Sequence, residues 1–324
     1  ISIQYLNCKK VSGSILELRK LLKSKDNTMI ISFLTITNIC IALSNIFLKK
    51  KNIFIYTQHE IPSKTFHKIF PLRKSIFIKY MIKFSYQNAD KIICVSKGLE
   101  IEMKSLLMKK EKLKCLTINN YIPSEINLIK KTKKEDKVVN LLSIGRLVKN
   151  KNFFTLLDAV NMIKNKLELR LTIVGDGELK NEILKHIKEY KLEKICLIIP
   201  FTNNLEKYYQ NADIYISTSL HESFGNTLVE AMHFNLFIIS TDCPYGPREI
   251  LGAGQWRGTV HTVWRNVIPT FIWKALNGES LPLDNGGNAS RDFIFVQDMA
   301  EGLMKCALNG TPGDIYASAS VTFG

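Results

Sequence analysis

Nowhere in these 324 residues do two cysteines come close enough to form a C-x-x-C pair. Cys8, Cys40, Cys94, Cys115, Cys196, Cys243 and Cys306 are scattered singly. That excludes a zinc-finger or disulfide framework and reads as buried thiols in a reducing compartment. A D-x-D pair to hold a divalent cation is missing, so no metal site is expected. The G-x-G-x-x-G of a dinucleotide fingerprint is missing as well. The opening ISIQYLNCKK lacks the charged-then-apolar order of an export signal. Long apolar runs are scarce. Met29 to Leu48 is 20 residues free of charge, but Asn38, Asn45 and several Ser and Thr interrupt it. A strand over Met29–Leu34 and a helix over Thr37–Leu48 account for it better than a membrane span.

Acidic residues are also in deficit: 29 against 45 basic, a formal net charge of +16. No aromatic-interleaved basic stripe or recognition helix accompanies the excess, so nucleic acid is not the expected partner. The charge points instead to an anionic small molecule or membrane surface, such as a nucleotide diphosphate or lipid headgroups. What is present is an ordinary globular composition, 46% hydrophobic and 23% charged, on a chain long enough for two domains. The charge is unevenly placed. From Gly252 onward there are five basic and six acidic residues, whereas residues 1–251 hold the other 40 and 23. All three Trp and ten of the 17 Gly also fall in that last part, so the character of the chain changes near residue 250.

Hydrophobic periodicity predicts strands alternating with helices. An amphipathic helix around Ile15, Leu18, Leu21 and Leu22 comes first, followed by the strand and helix already named. A strand over Asn52–Thr57 ends at Gln58-His59-Glu60-Ile61-Pro62, where Pro62 forces a loop. His59 at that strand end is either a neutral imidazole near a ligand or a solvated loop residue. The helix Leu72–Tyr86 carries Phe77, Tyr80, Met81 and Phe84 at helical spacing with Arg73, Lys74, Lys79 and Lys83. It reads as core or as a surface resting on an anionic membrane. A strand within Ala89–Ser96 follows, with Ser96 capping a helix that starts near Gly98. Leu116–Ile118 is a further strand, and the run Lys130–Lys137 a solvated linker. A second series begins with strands at Val138–Ile144 and Leu169–Val174 and a helix from Phe153. It continues with a helix at Leu179–Tyr190, a strand at Ile195–Ile199, a helix at Leu205–Asn211 and strands at Asp213–Ser217 and Ile238–Ser240. Such alternation means parallel sheets covered on both faces.

Three turns in the second series carry candidate chemistry. Gly145-Arg146-Leu147-Val148-Lys149-Asn150-Lys151 links a strand to a helix, where Arg146 as a fork and Lys151 as a point charge can neutralise a diphosphate together. Gly175-Asp176-Gly177-Glu178 closes the next strand. In His221 to Met232, HESFGNTLVEAM, a strand passes through Phe224-Gly225-Asn226-Thr227 into a helix whose first N–H groups suit a phosphate. Glu222 and Glu230, eight residues apart, flank that helix start, and both can accept hydrogen bonds from hydroxyls. Taken alone, each also reads as an ordinary exposed carboxylate.

Taken jointly, His59, ADKIICVS, GRLVKNK, VGDGE and E-x7-E resemble, in order, the retaining glycosyltransferases of family 4, which have the GT-B fold. The resemblance covers roughly residues 5–250. It implies an α/β protein of two Rossmann-like domains, over 1–122 and 123–250, and the transfer of a sugar from a nucleotide diphosphate to a glycan or lipid-linked acceptor. It implies further that Glu222 contacts the donor sugar and Glu230 the ribose, with His59 beside donor or acceptor. Arg146 and Lys151 are assigned to the pyrophosphate, Gly175 to a turn beneath the nucleotide, and Phe224, Gly225, Asn226 and Thr227 to the donor-binding turn. No cofactor or divalent metal is implied, and the expected location is cytoplasmic, at the inner face of a membrane. The strand and glycine-rich loop that open such enzymes are not found, which suggests a truncated N-terminus.

From Tyr245 the chain begins to resemble another family. Tyr245-Gly-Pro-Arg and Arg291-Asp292-Phe-x-x-Val-x-Asp298 are similar to the sugar-nucleotide end of extended short-chain dehydrogenases, the NAD-dependent epimerases and dehydratases. There Arg291 is assigned to the nucleotide's phosphates. The implied picture is a chimera joined within Tyr245 to Leu251, with 251–324 a foreign α/β tail. An NAD-dependent nucleotide-sugar oxidoreductase, with NAD as cofactor, and an inactive nucleotide-binding relic are the alternatives to transfer.

Overall fold

A computed structural model describes residues 6, 8, 11–48, 51–63, 72–120, 138–234, 236–251 and 315–318. The chain divides into two compact units, Ile1–Asn120 and Tyr121–Gly324.

In the first unit the uncharged run is a strand and a helix, β1 (Met29–Phe33) and Thr35–Asn45. Among the described residues no helix is long and apolar enough to cross a membrane. With β2 (Ile53–Gln58), β3 (Lys91–Cys94) and β4 (Cys115–Thr117) it forms a parallel sheet in the order β1-β2-β3-β4. The helix after β1 starts two residues earlier than Thr37 and stops three short of Leu48. Its start is set by a residue distant in sequence: the Thr35 N–H donates to Glu60 Oε1 at 3.0 Å, supplying the cap that Leu34 cannot. Beneath it lies a buried polar chain. Asn38 Nδ2 donates to the Tyr86 hydroxyl at 2.8 Å, and that hydroxyl donates to Gln58 Oε1 at 2.6 Å. Gln58 Nε2 in turn reaches Thr35 Oγ1 at 2.7 Å, so the end of β2 that carries His59 is tied to two helices. Ser96 caps the helix Lys97–Leu106 as expected, accepting from the Leu99 N–H at 3.3 Å.

The second unit holds a parallel sheet of β5 (Val139–Ile144), β6 (Leu169–Val174), β7 (Cys196–Ile199), β8 (Ile214–Ser217), β9 (Phe237–Thr241) and β10 (Ile315–Ser318). Their order is β10-β9-β8-β5-β6-β7. Alternate residues serve opposite cores. Leu141, Leu171, Ile173, Ile216 and Ile239 pack with Leu156, Leu157 and Val160 of the helix Phe153–Ile163 and with Ile183 and Ile187 of Lys180–Glu189. Leu142, Val174, Tyr215 and Ile238 pack on the other face with Tyr209, Leu228 and Ala231. The chain leaves β5 toward β6 on one side and later returns through β8 on the other. The crevice beyond the ends of β5 and β8 is therefore the switch point, where an open α/β sheet binds its ligand. The linker Lys130–Lys137 and, save Leu251 and β10, the stretch expected to be a foreign tail lie outside the described residues; β10 pairs with β9 in parallel register.

Candidate functional site

Three turns meet beyond those strand ends. After β5 the chain turns at Gly145 and makes one short helical turn, Lys149–Lys151. It enters the helix Phe153–Ile163 through Asn152, which is left-handed at φ 50°. The turn after β6 locks against it: the Leu147 N–H donates to the Asp176 carbonyl at 2.9 Å. Gly175, at φ +155°, is required there because a Cβ would stand 2.0 Å from the Gly145 carbonyl oxygen.

The third turn follows β8 and is stitched to the first. The Leu220 N–H donates to the Asn150 carbonyl at 2.8 Å, Asn150 Nδ2 to the His221 carbonyl at 2.9 Å, and Thr218 Oγ1 to the Lys151 carbonyl at 2.9 Å. These bonds bring Lys151 onto Glu222, and the Lys151 Nζ forms an ion pair with Glu222 Oε1. Ser219 Oγ donates to the same oxygen at 2.7 Å. The two side chains are only 20% and 15% exposed, so the pair is shielded from screening by bulk water. One carboxylate oxygen is thereby anchored, while Oε2 has no partner among the described residues. An ammonium carries three N–H donors, which leaves Lys151 able to hold Glu222 and still reach an anion.

The helix beyond this turn is Asn226–His233, entered through Gly225 at φ +105°. Phe224 is 7% exposed, so its ring is core and its backbone lines the turn. Its carbonyl is backed by Gly246 of the short helix Gly246–Ile250, at a distance where any Cβ would collide. That backing loop is itself braced: Arg248 Nε and NH2 meet the two oxygens of Asp242, each at 2.9 Å, as a two-bond fork. Between them lies Cys243, whose thiol is pushed up to about 12 by burial and then by the Glu222 carboxylate, so it stays protonated and inert. Glu230 stands one turn into the helix and accepts from the Tyr209 hydroxyl at 2.6 Å. Arg146 is exposed on the first turn and forms no ion pair among the described residues.

Glu222, Lys151, Gly175, Phe224, Gly225, Asn226, Thr227 and Glu230 all belong to these linked turns and the helix they launch. Arg146 is on the same first turn. His59 stands in the other unit, half-buried at the end of β2 with its ring 5.7 Å from that of Phe33. Burial lowers its pKa, so the imidazole is neutral near pH 7. Arg291 lies outside the described residues. Motif reading missed Ser219, Asn150, Tyr209 and the Asp242–Arg248 fork. Of these only Ser219 had a local signal, its position three residues before Glu222. Among the described residues no cluster of three or more metal-ligating side chains occurs.

Residues 124–263 match the family described as Glycosyl transferases group 1, and residues 244–318 match the NAD dependent epimerase/dehydratase family. The chain is 34% identical over 187 residues to the N-acetylgalactosamine-N,N'-diacetylbacillosaminyl-diphospho-undecaprenol 4-alpha-N-acetylgalactosaminyltransferase of Campylobacter jejuni, covering 56% of this chain and 49% of that one. It is 29% identical over 258 residues to an uncharacterized glycosyltransferase of Methanocaldococcus jannaschii, covering 73% and 62%. The chain thus spans about half to three fifths of the length of these relatives. Among solved structures it is similar to Staphylococcus aureus TarM bound to UDP, with a TM-score of 0.64 and 18% identity over 93% of this chain and 52% of that one. It is also similar to Anabaena HepE in complex with UDP-glucose, with a TM-score of 0.61 and 16% identity over 90% and 81%. The fold, α/β with parallel sheets, is the one these GT-B glycosyltransferases share.

Proposed function

We propose that this chain is a retaining glycosyltransferase of the family 4 type that moves a sugar from a nucleotide diphosphate to a hydroxyl of a glycan or lipid-linked acceptor. The observation that carries the reading is the Lys151–Glu222 contact, which sets a cation and a carboxylate side by side where a helix begins at the sheet's switch point. In the reaction the bond between the sugar's anomeric carbon and the diphosphate breaks. The acceptor oxygen bonds to that carbon on the same face, and the acceptor's proton leaves with the diphosphate. Arg146, Lys151 and the backbone N–H groups near Gly225 stabilise the departing charge, which is electrostatic catalysis by groups already in place. Glu222 orients the donor sugar, Glu230 the ribose, and neutral His59 serves beside donor or acceptor. No cofactor or divalent metal enters this scheme.

The Campylobacter relative's name describes an acceptor carried on diphospho-undecaprenol, and another relative's name, poly(ribitol-phosphate) alpha-N-acetylglucosaminyltransferase, describes a polymeric one. Both fit a chain that works in polysaccharide assembly on the cytoplasmic face of a membrane. Membrane contact through the basic helix Leu72–Tyr86 belongs to this proposal. A second reading, an NAD-dependent nucleotide-sugar oxidoreductase fragment, is favoured by the match over residues 244–318, with Arg291 on the phosphates. The meeting of two family matches within 244–263 supports a chimeric join near Tyr245–Leu251.

One experiment separates these readings: incubation of the full chain with labelled nucleotide sugars and a lipid-diphosphate acceptor, alongside NAD binding. Transfer or donor hydrolysis that falls by about 10²-fold or more in Glu222→Gln and Lys151→Ala supports the proposal. NAD affinity without transfer supports the second reading, and rates unchanged in both variants refute the site.

A further inference from the structure

We infer that Tyr209 is a positioning residue that sets the site's selectivity for ribonucleotides, by fixing one oxygen of Glu230 and leaving the other to a ribose diol; this rests on the reading of Glu230 given above. Tyr209 lies in the helix Glu206–Asn211 and is 1% exposed. Its ring is held from two sides, stacked on Phe234 with centroids 5.1 Å apart and planes 6° from parallel, and tilted against Tyr215 at 6.0 Å. A ring clamped in that way fixes the position of its hydroxyl, 2.6 Å from Glu230 Oε2 and 3.5 Å from the Thr227 carbonyl, so the short bond goes to Glu230.

The consequence for Glu230 is geometric. A glutamate on a helix surface has three side-chain torsions to fix before its carboxylate can meet two hydroxyls at once. One short bond from a rigid, buried donor removes most of that freedom before the ligand arrives. The choice of donor matters as well. A lysine here would neutralise the carboxylate, whereas a phenol orients it and leaves its charge available to hydroxyls. Burial of Tyr209 drives its pKa upward, and the Glu230 charge adds to the shift, so the phenol remains a donor throughout the working pH range. Glu230 Oε1 has no partner among the described residues.

Calorimetric titration of the full chain with UDP, GDP and ADP identifies the tightest binder, which is then compared with its 2′,3′-dideoxy analogue. The ratio of the two affinities is measured in the native chain, in Tyr209→Phe and in Glu230→Gln. Tyr209→Phe keeps the stacked ring and removes only the hydroxyl. The expected result is a ratio reduced by about three- to tenfold in Tyr209→Phe, the scale of one ordinary hydrogen bond, with dideoxy affinity unchanged. A ratio that falls in Glu230→Gln but not in Tyr209→Phe overturns the inference and spares the site. Equal loss of both ligands in Tyr209→Phe also overturns it, as a merely structural effect. A ratio unmoved in Glu230→Gln, or no binding of any of the three nucleotides, overturns the underlying reading itself.

Discussion

Glu100 shows how much a single side chain can hold. It is 3% exposed, accepting from Lys97 at 3.0 Å, from Lys104 at 2.5 Å and from the Thr117 hydroxyl. Burial alone would raise its pKa, but the bonds from Lys104, Thr117 and Lys97 outweigh it and bring the carboxyl from 4.5 down to about 2. Because the folded value is the lower one, the stabilisation is complete above about pH 4.5 and is lost as pH falls toward 2. The amount is on the order of 2–3 kcal/mol. Urea unfolding between pH 6 and 3 is therefore expected to show a steeper loss in the native chain than in Glu100→Gln; parallel profiles would contradict the assignment. Glu100 was not legible in the sequence, since its third partner is 17 residues away, beyond its own helix, at the end of β4. The same holds within the candidate site. Glu222, Glu230, Arg146 and Lys151 announced themselves by spacing, whereas Tyr209 and Asn150 matter through contacts 21 and 71 residues long. Periodicity says nothing of those.

At the scale of elements the sequence was a better guide, because a buried parallel strand leaves an apolar run and a covering helix leaves a stripe. β5 and β6 lie where the apolar runs put them. The helix Thr35–Asn45 did not, since its start is set by Glu60 and by Leu34 at φ 72°, a conformation no pattern of side chains announces. The helix Leu72–Tyr86 reads in the sequence as core or as a membrane-facing surface, and from Lys79 onward its side chains are partly buried and partly exposed. Ile82 and Tyr86 are buried, while Tyr80 and Phe84, one turn apart, are 65% and 45% exposed beside Lys79 and Lys83. An aromatic pair flanked by lysines suits the interface of an anionic bilayer, with rings at headgroup depth and ammonium groups on phosphates. The chain is expected to sediment with phosphatidylglycerol vesicles and not with phosphatidylcholine ones. Tyr80→Ala/Phe84→Ala is expected to weaken that binding several-fold, and undiminished binding would remove this helix from the proposal.

Across the whole molecule two parallel-sheet units and a change of character near residue 250 were both visible beforehand, the first in strand–helix alternation and the second in charge and glycine content. Hidden from any such reading was β10, four residues late in the chain that extend the second sheet beside β9. Sugar transfer depends on the second unit's switch point, where Arg146 and Lys151 are assigned to a diphosphate at the start of the helix Asn226–His233. Calorimetry of a nucleoside diphosphate and the matching monophosphate against the native chain and Arg146→Ala/Lys151→Ala tests this most directly. The native chain is predicted to prefer the diphosphate by about tenfold or more and the double variant to lose that preference while still binding the monophosphate; an undiminished preference in the double variant would contradict the account.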